Sequence, residues 1–290
     1  CIDVGGTSIK YGFIREDGFI IDKSSLDTEA KEKGGEGILA KIKDIVKKYI
    51  EENEISGICI STAGMVDPVE GKILFALEEL IPNYKGMQLK KEVEKEFNIK
   101  CEVENDVNCA GLGEVWLGAG RGATSSICLT IGTGIGGCII INNKLINGFS
   151  NSAGEVGYMN INGSSFQELA STSSLIKKVA KIKNLNEKDL NGKIIFDLAK
   201  NNDEDCLKEL DNMIKSLAVG IANICYVINP EVVILGGGIM AQEKFLKPKI
   251  DKALKEVLIE RVYKNTNIEF AKRQNDAGML GALYNFLNKI

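Results

Sequence analysis

The chain opens on Cys1-Ile2-Asp3-Val4-Gly5-Gly6-Thr7-Ser8-Ile9-Lys10, an apolar strand followed by a glycine-rich turn and the start of a second strand. Glycines let a backbone approach a phosphate closely, so that its N–H groups point at the anion, and the Thr7 hydroxyl adds a donor. Asp3 is suited to orienting a magnesium-bound water, because magnesium takes oxygen ligands and keeps waters. A tight hairpin turn without a ligand is the alternative for this stretch taken alone.

A second strand, glycine turn and strand follow near the middle of the chain. The apolar stretch 126–131 leads into Gly132-Thr133-Gly134-Ile135-Gly136-Gly137 and then into the apolar stretch 138–141. The glycines match the dinucleotide fingerprint G-x-G-x-x-G, but that site needs a helix after the glycines so that the pyrophosphate meets its N-terminus. A β run follows here, which favours a hairpin that clamps phosphates and disfavours an NAD-dependent enzyme. No G-x-x-x-x-G-K-[ST] motif occurs, which disfavours a Walker-type ATPase.

A third glycine run, Gly236-Gly237-Gly238, follows the apolar stretch 232–235 and precedes a helical pattern over 242–258. The flat backbone of such a run lets a purine ring lie against it, and an ordinary strand-to-helix turn is the alternative. The order and context of the three glycine runs together point to a nucleotide.

The chain as a whole predicts an α/β fold. Apolar residues recur at helical spacing over 36–52, and further helices are predicted over 86–97, 107–117, 203–228 and 275–288, with short apolar strands between them. Each half opens with a hairpin whose glycine turn contains threonine. We therefore expect two similar α/β domains that face each other across a central cleft, a common place for ligands.

Composition narrows the possible functions. The formal net charge is −4, with Lys and Arg dispersed among Asp and Glu, so nucleic-acid binding has little support. No apolar run reaches the roughly 18 residues of a membrane span, and the first residues do not resemble a signal peptide. These features predict a protein without a nucleic-acid or membrane partner.

Cysteine and histidine usage is also informative. The 8 cysteines include no CxxC pair and several lie in apolar runs, which predicts free thiols in a reducing cytoplasm. With 0 His, no Ser-His-Asp triad, Cys-His dyad or His-ligated zinc site is possible. Acid–base chemistry must therefore use carboxylates, Lys, Tyr or Cys.

These motifs resemble those of the ROK family of sugar kinases and repressors, within the actin–hexokinase superfamily, over nearly the whole chain. The first two glycine turns are similar to the family's phosphate motifs, and Leu235-Gly236-Gly237-Gly238 resembles its adenosine motif. The resemblance implies two actin-like, ribonuclease H-like domains, with residues 1–106 and 275–290 forming the N-terminal domain and 107–274 the C-terminal one. It also implies a homodimer.

The resemblance implies ATP and Mg²⁺ as cofactors. The expected cofactor-binding residues lie in or beside the three glycine runs: Asp3, Gly5, Gly6, Thr7, Lys10, Gly132, Thr133, Gly134, Gly136, Gly236, Gly237 and Gly238.

Glu104-Asn105-Asp106-Val107-Asn108 resembles the family segment that holds the sugar and the catalytic base. Asp106 is the expected base, accepting the proton of the sugar 6-hydroxyl as that oxygen attacks the γ-phosphoryl group. Phosphoryl transfer needs mainly positioning and charge stabilisation, so one placed carboxylate with Mg²⁺ and backbone donors can suffice. The alternative is that Asp106 caps a helix starting near Val107, and both roles can coexist.

Sugar contacts are expected from residues in segments similar to the family's sugar motifs: Gly64, Asn83, Asn105, Asp106, Glu155, Tyr158 and Glu168. Asn105 offers a donor and an acceptor, which suits two neighbouring hydroxyls. The alternatives are a turn residue for Asn105 and solvated charge for Glu155 and Glu168.

One departure from the family pattern concerns zinc. The family usually has His where Tyr158 stands, and that His binds a structural zinc with a cysteine cluster that follows. Residues 160–166 contain no Cys, so no structural zinc is expected. Tyr158 then either contacts the sugar or packs in place of the metal-held loop.

The sugar and the class of protein leave alternatives open. The resemblance to zinc-free members favours an N-acetyl-D-mannosamine kinase that makes the 6-phosphate in sialic acid catabolism, with a β-glucoside kinase or glucokinase as alternatives. A sugar-sensing repressor of the same family is the alternative of another class. Those repressors carry a winged helix ahead of the first phosphate motif, where this chain starts, and the intact Asp106 also favours an enzyme.

Overall fold

The computed structural model describes residues 1–289, so residue 290, the end of the predicted N-terminal domain, lies outside it. Contacts divide the chain into two compact units. The first contains Cys1–Arg121, Asn147–Ser152 and the chain from Asn275, and the second contains Gly122–Ile146 and Ala153–Gln274. The domain boundary expected between residues 106 and 107 stays a prediction.

The first unit is built on a mixed sheet. Its strands are β1 (Ile2–Val4), β2 (Ser8–Ile14), β3 (Ile20–Asp27), β4 (Ile58–Thr62), β5 (Met65–Asp67), β6 (Lys72–Phe75) and β7 (Cys101–Asn105). Its helices are α1 (Ala30–Glu52), α2 (Leu89–Phe97), α3 (Asp106–Leu117) and, at the end of the chain, α10 (Ala277–Leu287). Five strands pair in the order β3-β2-β1-β4-β7, with β1, β4 and β7 parallel, and β5 and β6 form a separate hairpin.

The second unit has a sheet of the same plan. Its strands are β8 (Ser126–Ile131), β9 (Ile135–Ile141), β10 (Lys144–Leu145), β11 (Asn160–Ile161), β12 (Ser164–Ser165), β13 (Val232–Gly236) and β14 (Asn267–Phe270). Its helices are α4 (Phe166–Ala170), α5 (Thr172–Lys183), α6 (Gly192–Lys200), α7 (Glu204–Ile228), α8 (Glu243–Val257) and α9 (Glu260–Asn265). The main sheet has the order β10-β9-β8-β13-β14, with β8, β13 and β14 parallel.

The two main sheets share one strand order, which confirms the predicted α/β class and the likeness of the two halves. In each sheet the first three strands in chain order form an antiparallel meander. The fourth strand then pairs in parallel with the first, and the fifth pairs in parallel with the fourth. The predicted strand after the second glycine turn is also confirmed, because β9 runs on from Ile135 to Ile141 without a helix.

The first long helix differs from its prediction at its beginning. The predicted segment 36–52 is helical, with Ile38, Ile42 and Ile45 buried against the sheet. The helix begins earlier, at Ala30, and is broken at Gly34, where φ is 56° and ψ is −160°. Only glycine adopts such a conformation readily, so the break is fixed by the sequence at this position.

Two glycines set how closely helices α3 and α10 pack in the first unit. A Cβ atom on Gly113 would collide with the carbonyl oxygen of Ala277, and one on Gly281 would collide with the carbonyl oxygen of Cys109. Trp116 on α3 stacks on Tyr284 of α10 with ring centroids 5.3 Å apart. The backbones of these helices are therefore in direct contact.

Three short helices of the second unit, α4 to α6, were not predicted from the sequence. Each begins after a side-chain cap, supplied by Ser165, Ser171 and Asn191 in turn.

All eight cysteines are free thiols, and seven of them are buried, as predicted. None of the helices within residues 1–289 combines the length and apolarity that a membrane crossing requires.

Candidate active site

Three predicted site segments of the first unit meet at one edge of its sheet. Strands β1, β4 and β7 are parallel neighbours, with Val4 paired to Thr62 and Thr62 paired to Asn105. The residues that follow these strands therefore leave the same edge: the first glycine turn, the loop of Gly64, and Asp106. Ligands of open α/β sheets bind outside the carboxyl ends of parallel strands, so this edge is the natural place for a site.

The first glycine turn is held from beneath by Thr28. The Thr28 hydroxyl donates to the Gly5 carbonyl at 2.7 Å, and the Thr28 N–H donates to the Thr7 carbonyl at 2.9 Å. The Gly5 N–H closes the turn by donating to Ser8 at 3.1 Å. At Gly6 the position of a Cβ has nothing within 4 Å, so the turn presents open backbone as a phosphate cradle requires.

Asp3 lies on β1, two residues before Gly5 of the same turn. Its Oδ1 accepts a hydrogen bond from the Ser61 hydroxyl at 2.6 Å, and a Cβ on Gly278 would press against its carboxylate, so the first turn of α10 lies directly on it. Burial raises the pKa of Asp3, while the Ser61 hydrogen bond and the charge of Lys10 act to lower it. The Lys10 ammonium itself donates to Asn275 Oδ1 at 3.2 Å.

The Asn105-Asp106 turn is the start of α3, and the structure gives the capping role to Asn105. Asn105 Oδ1 accepts from the N–H groups of Val107 at 2.9 Å and Asn108 at 3.1 Å. Its Nδ2 donates to the Gly64 carbonyl at 2.9 Å and to Asp106 Oδ1 at 3.0 Å. An amide offers two donor and two acceptor positions, and these four bonds use them all. Asn105 therefore orients Asp106 and the Gly64 loop, and its contact with a sugar stays a prediction.

A buried carboxylate that sequence reasoning missed, Glu104, lies beneath this turn. It is 1% exposed and shares a row across the sheet with Ser61 and Asp3. Its Oε1 accepts from the Asn105 N–H at 2.8 Å and from Asn108 Nδ2 at 3.0 Å, and its Oε2 accepts from Asn147 Nδ2 at 3.3 Å. The spacing of Glu104 and Asn108, four residues apart across the start of a helix, was the available sequence signal.

The other predicted sugar contacts of the first unit, Gly64 and Asn83, lie in two loops. Gly64 has a φ of 97°, and a Cβ there would lie 2.7 Å from the Phe75 carbonyl oxygen, so the loop needs glycine. Asn83 is exposed and also has a positive φ, 56°, with its N–H donating to Glu78 Oε1 at 2.9 Å. The next residue, Tyr84, is buried and its hydroxyl lies 2.6 Å from the Thr62 hydroxyl, which joins the Asn83 loop to β4.

In the second unit, two glycine runs and two helices form one cavity. Its volume is ≈ 490 Å³, within the size range of small-molecule sites. Gly132, Thr133 and Gly238 line it, so residues of the second and third glycine runs lie at one cavity. Sequence reasoning missed its other lining residues: Thr172, Ser173, Ile176, Asn191, Gly192, Lys193, Phe196, Ile239 and Gln242.

The backbone beside this cavity requires glycine at one position, Gly237. Gly237 has a φ of 104°, and a Cβ there would collide with the carbonyl oxygen of Ile131 at the end of β8. Gly238, one residue on, has open space where its Cβ would lie, and Gly236 pairs with Thr130 in the sheet. At the second turn, the Gly132 N–H donates to Gly134 and its carbonyl accepts from the Thr172 N–H, both at 2.9 Å. The cavity therefore combines open backbone with the apolar side chains needed beside a purine.

The segment of Glu155 and Tyr158 packs directly on the second hairpin. Gly154 has a φ of 91°, and a Cβ there would collide with the carbonyl oxygen of Gly137 on β9, beside Gly136. Glu155 is exposed as a residue, yet partial burial by nearby protein atoms raises the pKa of its carboxyl. The Tyr158 side chain is 59% exposed, so it is not packed into the core.

Glu168 has a structural role in the second unit. Its Oε2 accepts from the Ser165 N–H at 2.9 Å and from the Ser165 hydroxyl at 2.8 Å, which together with the reciprocal bond forms a capping box at the start of α4. These bonds lower the pKa of its carboxyl. Its role as a sugar contact stays a prediction.

Metal-binding groups complete the description of the site. Across residues 1–289, no group of three or more His, Cys, Asp or Glu side chains is arranged to hold a metal ion. The described residues therefore contain no zinc-binding group of the kind that the ROK family usually has.

Fold and site together define an α/β protein with two sheets of like order, a glycine turn in each unit and a cavity of ≈ 490 Å³ in the second. The ROK family pattern matches residues 1–289. The chain therefore belongs to the ROK family. A β-glucoside kinase of Listeria innocua is 32% identical over 99% of this chain and 96% of its own length.

Solved structures agree with this assignment. A Listeria monocytogenes protein for which N-acetylmannosamine kinase activity has been proposed is 31% identical, with a TM-score of 0.88 over 99% of this chain and 98% of that one. A ROK glucokinase of Streptomyces griseus in complex with glucose and AMPPNP is 27% identical, with a TM-score of 0.83 over 97% of this chain and 96% of that one. The fold is thus the actin-like fold of ROK kinases, as predicted from the sequence.

Proposed function

We propose that this ROK-family sugar kinase transfers the γ-phosphoryl group of ATP to the 6-hydroxyl of a hexose, with N-acetyl-D-mannosamine as substrate and its 6-phosphate as product, a step of sialic acid catabolism. The observation that carries the nucleotide part is the ≈ 490 Å³ cavity where Gly132, Thr133 and Gly238 converge. The related glucokinase structure holds AMPPNP and glucose, which supports ATP and a hexose as the ligands.

Asp106 is the proposed base. Its Oδ1 is held by Asn105 Nδ2 at 3.0 Å and by the Val107 N–H at 3.0 Å, so the carboxylate has a fixed direction at the start of α3. The carboxylate accepts the proton of the sugar 6-hydroxyl as the hydroxyl oxygen forms its bond to γ-phosphorus and the bond to the ADP oxygen breaks. A positioned base contributes about 10²–10⁴-fold to such a reaction.

The residues present also fit ATP and Mg²⁺. The proposed phosphate contacts are the backbone at Gly5, Gly6 and Thr7 and the backbone at Gly132, Thr133 and Gly134. Mg²⁺ usually takes one or two carboxylates and keeps several waters, so the single Asp3 carboxylate suits it. The ion would supply charge stabilisation to the phosphoryl group.

Two relatives bear on the sugar. The match with the L. monocytogenes protein of proposed N-acetylmannosamine kinase activity covers 98% of that protein's length. This likeness supports N-acetylmannosamine as the substrate. The 32% identical β-glucoside kinase supports a β-glucoside as the second candidate. In either case we propose as the sugar-contacting residues Gly64, Asn83, Asn105, Asp106, Glu155, Tyr158 and Glu168. The exposure of Tyr158 favours its contact with sugar.

The proposed assembly is a homodimer in the cytoplasm, without a nucleic-acid or membrane partner. Support for a dimer comes from two exposed apolar residues of the second unit, Val227 and Ile259, which are 85% and 60% exposed. The free thiols support a reducing compartment.

The deciding experiment measures ADP formation with N-acetylmannosamine, N-acetylglucosamine, glucose, mannose and a β-glucoside. The highest kcat/KM is expected for N-acetylmannosamine. A higher value for the β-glucoside would transfer the assignment to that sugar. If none of these sugars is phosphorylated but calorimetry shows that one of them binds, the sugar-sensing alternative would be supported.

A further inference from the structure

We propose that Tyr84 is a positioning residue for the sugar: its buried hydroxyl fastens the loop that carries Asn83 to the strand edge that carries Gly64 and Asp106. The inference rests on the proposed function. It adds to that function the residue that fixes the position of the Asn83 loop relative to Gly64 and Asp106.

The first observation is that two hydroxyl groups, those of Tyr84 and Thr62, meet inside the apolar core of the first unit. Tyr84 and Thr62 are each 0% exposed, and their hydroxyl oxygens are 2.6 Å apart. Around the Tyr84 ring lies the apolar core of the first unit. A buried hydroxyl costs free energy unless it is hydrogen-bonded, so the pair holds the loop in one place.

The second observation is where Thr62 leads. Thr62 is the last residue of β4 and pairs with Asn105 across the sheet. Two residues on, the Gly64 carbonyl accepts from Asn105 Nδ2 at 2.9 Å, and the same Nδ2 donates to Asp106 Oδ1 at 3.0 Å. Hydrogen bonds, together with the two residues of main chain from Thr62 to Gly64, therefore join Tyr84 to the proposed base. Burial raises the pKa of the Tyr84 hydroxyl, and the charge of Asp106 raises it further, which places that carboxylate within electrostatic reach.

The third observation is a seat for the loop in the broken start of α1. The Gly35 N–H donates to the Pro82 carbonyl at 2.8 Å. A Cβ on Gly35 would lie 2.7 Å from the Asn83 carbonyl oxygen and 2.9 Å from the Tyr84 Cα, and one on Gly34 would lie 2.5 Å from the Pro82 oxygen. Real Cβ atoms do not come this close to backbone, so both glycines are needed for the loop to reach the position that Tyr84 fixes.

Together these contacts explain how Asn83 is displayed. Its backbone is in the left-handed region with a φ of 56°, anchored by Pro82 on one side and by Tyr84 on the other, while its side chain is exposed. An exposed amide on a fixed backbone can discriminate between sugars without paying for loop ordering when the sugar binds.

The test replaces Tyr84 by phenylalanine, which removes the hydroxyl and keeps the ring. The net contribution of one hydrogen bond corresponds to about a 2- to 10-fold effect on an equilibrium. Y84F is expected to raise the KM for the sugar by about that factor, with the KM for ATP unchanged, because the cavity for the nucleoside lies in the other unit. Relative rates across the five sugars should also become more alike.

The matched control is Tyr49→Phe. The Tyr49 hydroxyl also makes one 2.6 Å hydrogen bond in the first unit, to Asp22 Oδ2, but on the far part of α1 and with no link to the sugar-facing loops. Y49F is expected to leave both KM values unchanged even if its melting temperature falls. A second variant, Gly35→Ala, should raise the sugar KM more than Y84F because backbone atoms must move.

The outcomes separate the two levels of inference. No turnover of any sugar by the wild-type protein would overturn the proposed function. An active wild type with a Y84F sugar KM like that of the wild type would overturn the positioning role alone, as would a fall in melting temperature without a change in sugar KM. Equal increases in the KM for sugar and for ATP would overturn it too.

Discussion

Replacement of Glu104 by glutamine tests the buried row of polar side chains beneath the Asp106 turn. The Glu104 carboxylate accepts three N–H bonds, from the Asn105 backbone, Asn108 Nδ2 and Asn147 Nδ2. The glutamine carbonyl oxygen can keep the first two. In the orientation that the Asn147 amide has here, the new amide nitrogen faces Asn147 Nδ2, so one donor loses its acceptor and two donors oppose each other.

The expected cost follows from this count. A donor left without a partner in a largely buried place costs about 1–3 kcal/mol. For a chain of this size that should lower the melting temperature by about 2–4 °C for each kcal/mol. Glu94→Gln is the matched control, because Glu94 accepts a single bond, from the Cys101 N–H at 3.0 Å, and a glutamine oxygen can keep it. That variant should change stability by less than about 0.5 kcal/mol.

A double-mutant cycle makes the test specific. Asn147→Asp alone sets two carboxylates against each other and should destabilise the protein. Combined with E104Q it offers an acceptor to the new amide, so the double variant should be more stable than the sum of the single effects by about 0.5–3 kcal/mol. The assay is chemical or thermal unfolding of all four proteins. Additive effects, or an E104Q variant as stable as the wild type, would refute the structural argument.

Four further predictions concern the site. Asp106→Asn should reduce kcat by about 10²–10⁴-fold or more while calorimetry shows nearly unchanged sugar binding, and wild-type-like turnover would disprove the base. Gly237→Ala should cost about 1–3 kcal/mol of strain and raise the KM for ATP, whereas Gly238→Ala, with open space at its Cβ, should retain wild-type stability in the same melts. Burial raises the pKa of Asp3 above its ordinary value of 3.8, so ionisation of Asp3 costs stability once the pH rises through the raised pKa. Asp3→Asn should therefore stabilise the protein at about pH 7–8 and lose that advantage near pH 4. An equal effect on stability at both pH values would contradict this prediction. Elemental analysis should find no stoichiometric zinc, and zinc chelators should leave the melting temperature unchanged.

The glycine turns could be predicted because their requirements are local. A strand, a glycine run and a second strand appear in the sequence within about ten residues, and β9 continues after Gly137 as the β-branched residues indicated. Residues of the second and third glycine runs line the cavity of the second unit. Lys193 could not be foreseen because α6 was not predicted at all, and Gln242 could not because the short helical turn Gly238–Gln242 that carries it was not predicted.

Other parts of the site depend on strand register and could not be predicted. Both Asn105 and Asp106 are good capping residues, so the sequence could not tell which one caps α3, and the structure gives that role to Asn105. The row of Asp3, Ser61 and Glu104 exists only because three distant strands pair in one register. The pairing of Tyr84 with Thr62 has the same cause, since the two residues lie 22 positions apart.

The glycine contact between α3 and α10 has a consequence for engineering. Because Gly113 and Gly281 bring main chain against main chain, no choice of side chain can tune the spacing of the helix that begins with Asp106 and the helix that rests on Asp3. Mutagenesis libraries aimed at a new sugar should therefore leave these two helices untouched. Diversity should instead be concentrated in the loop that carries Asn83, where new side chains can alter recognition while the reaction geometry is inherited unchanged.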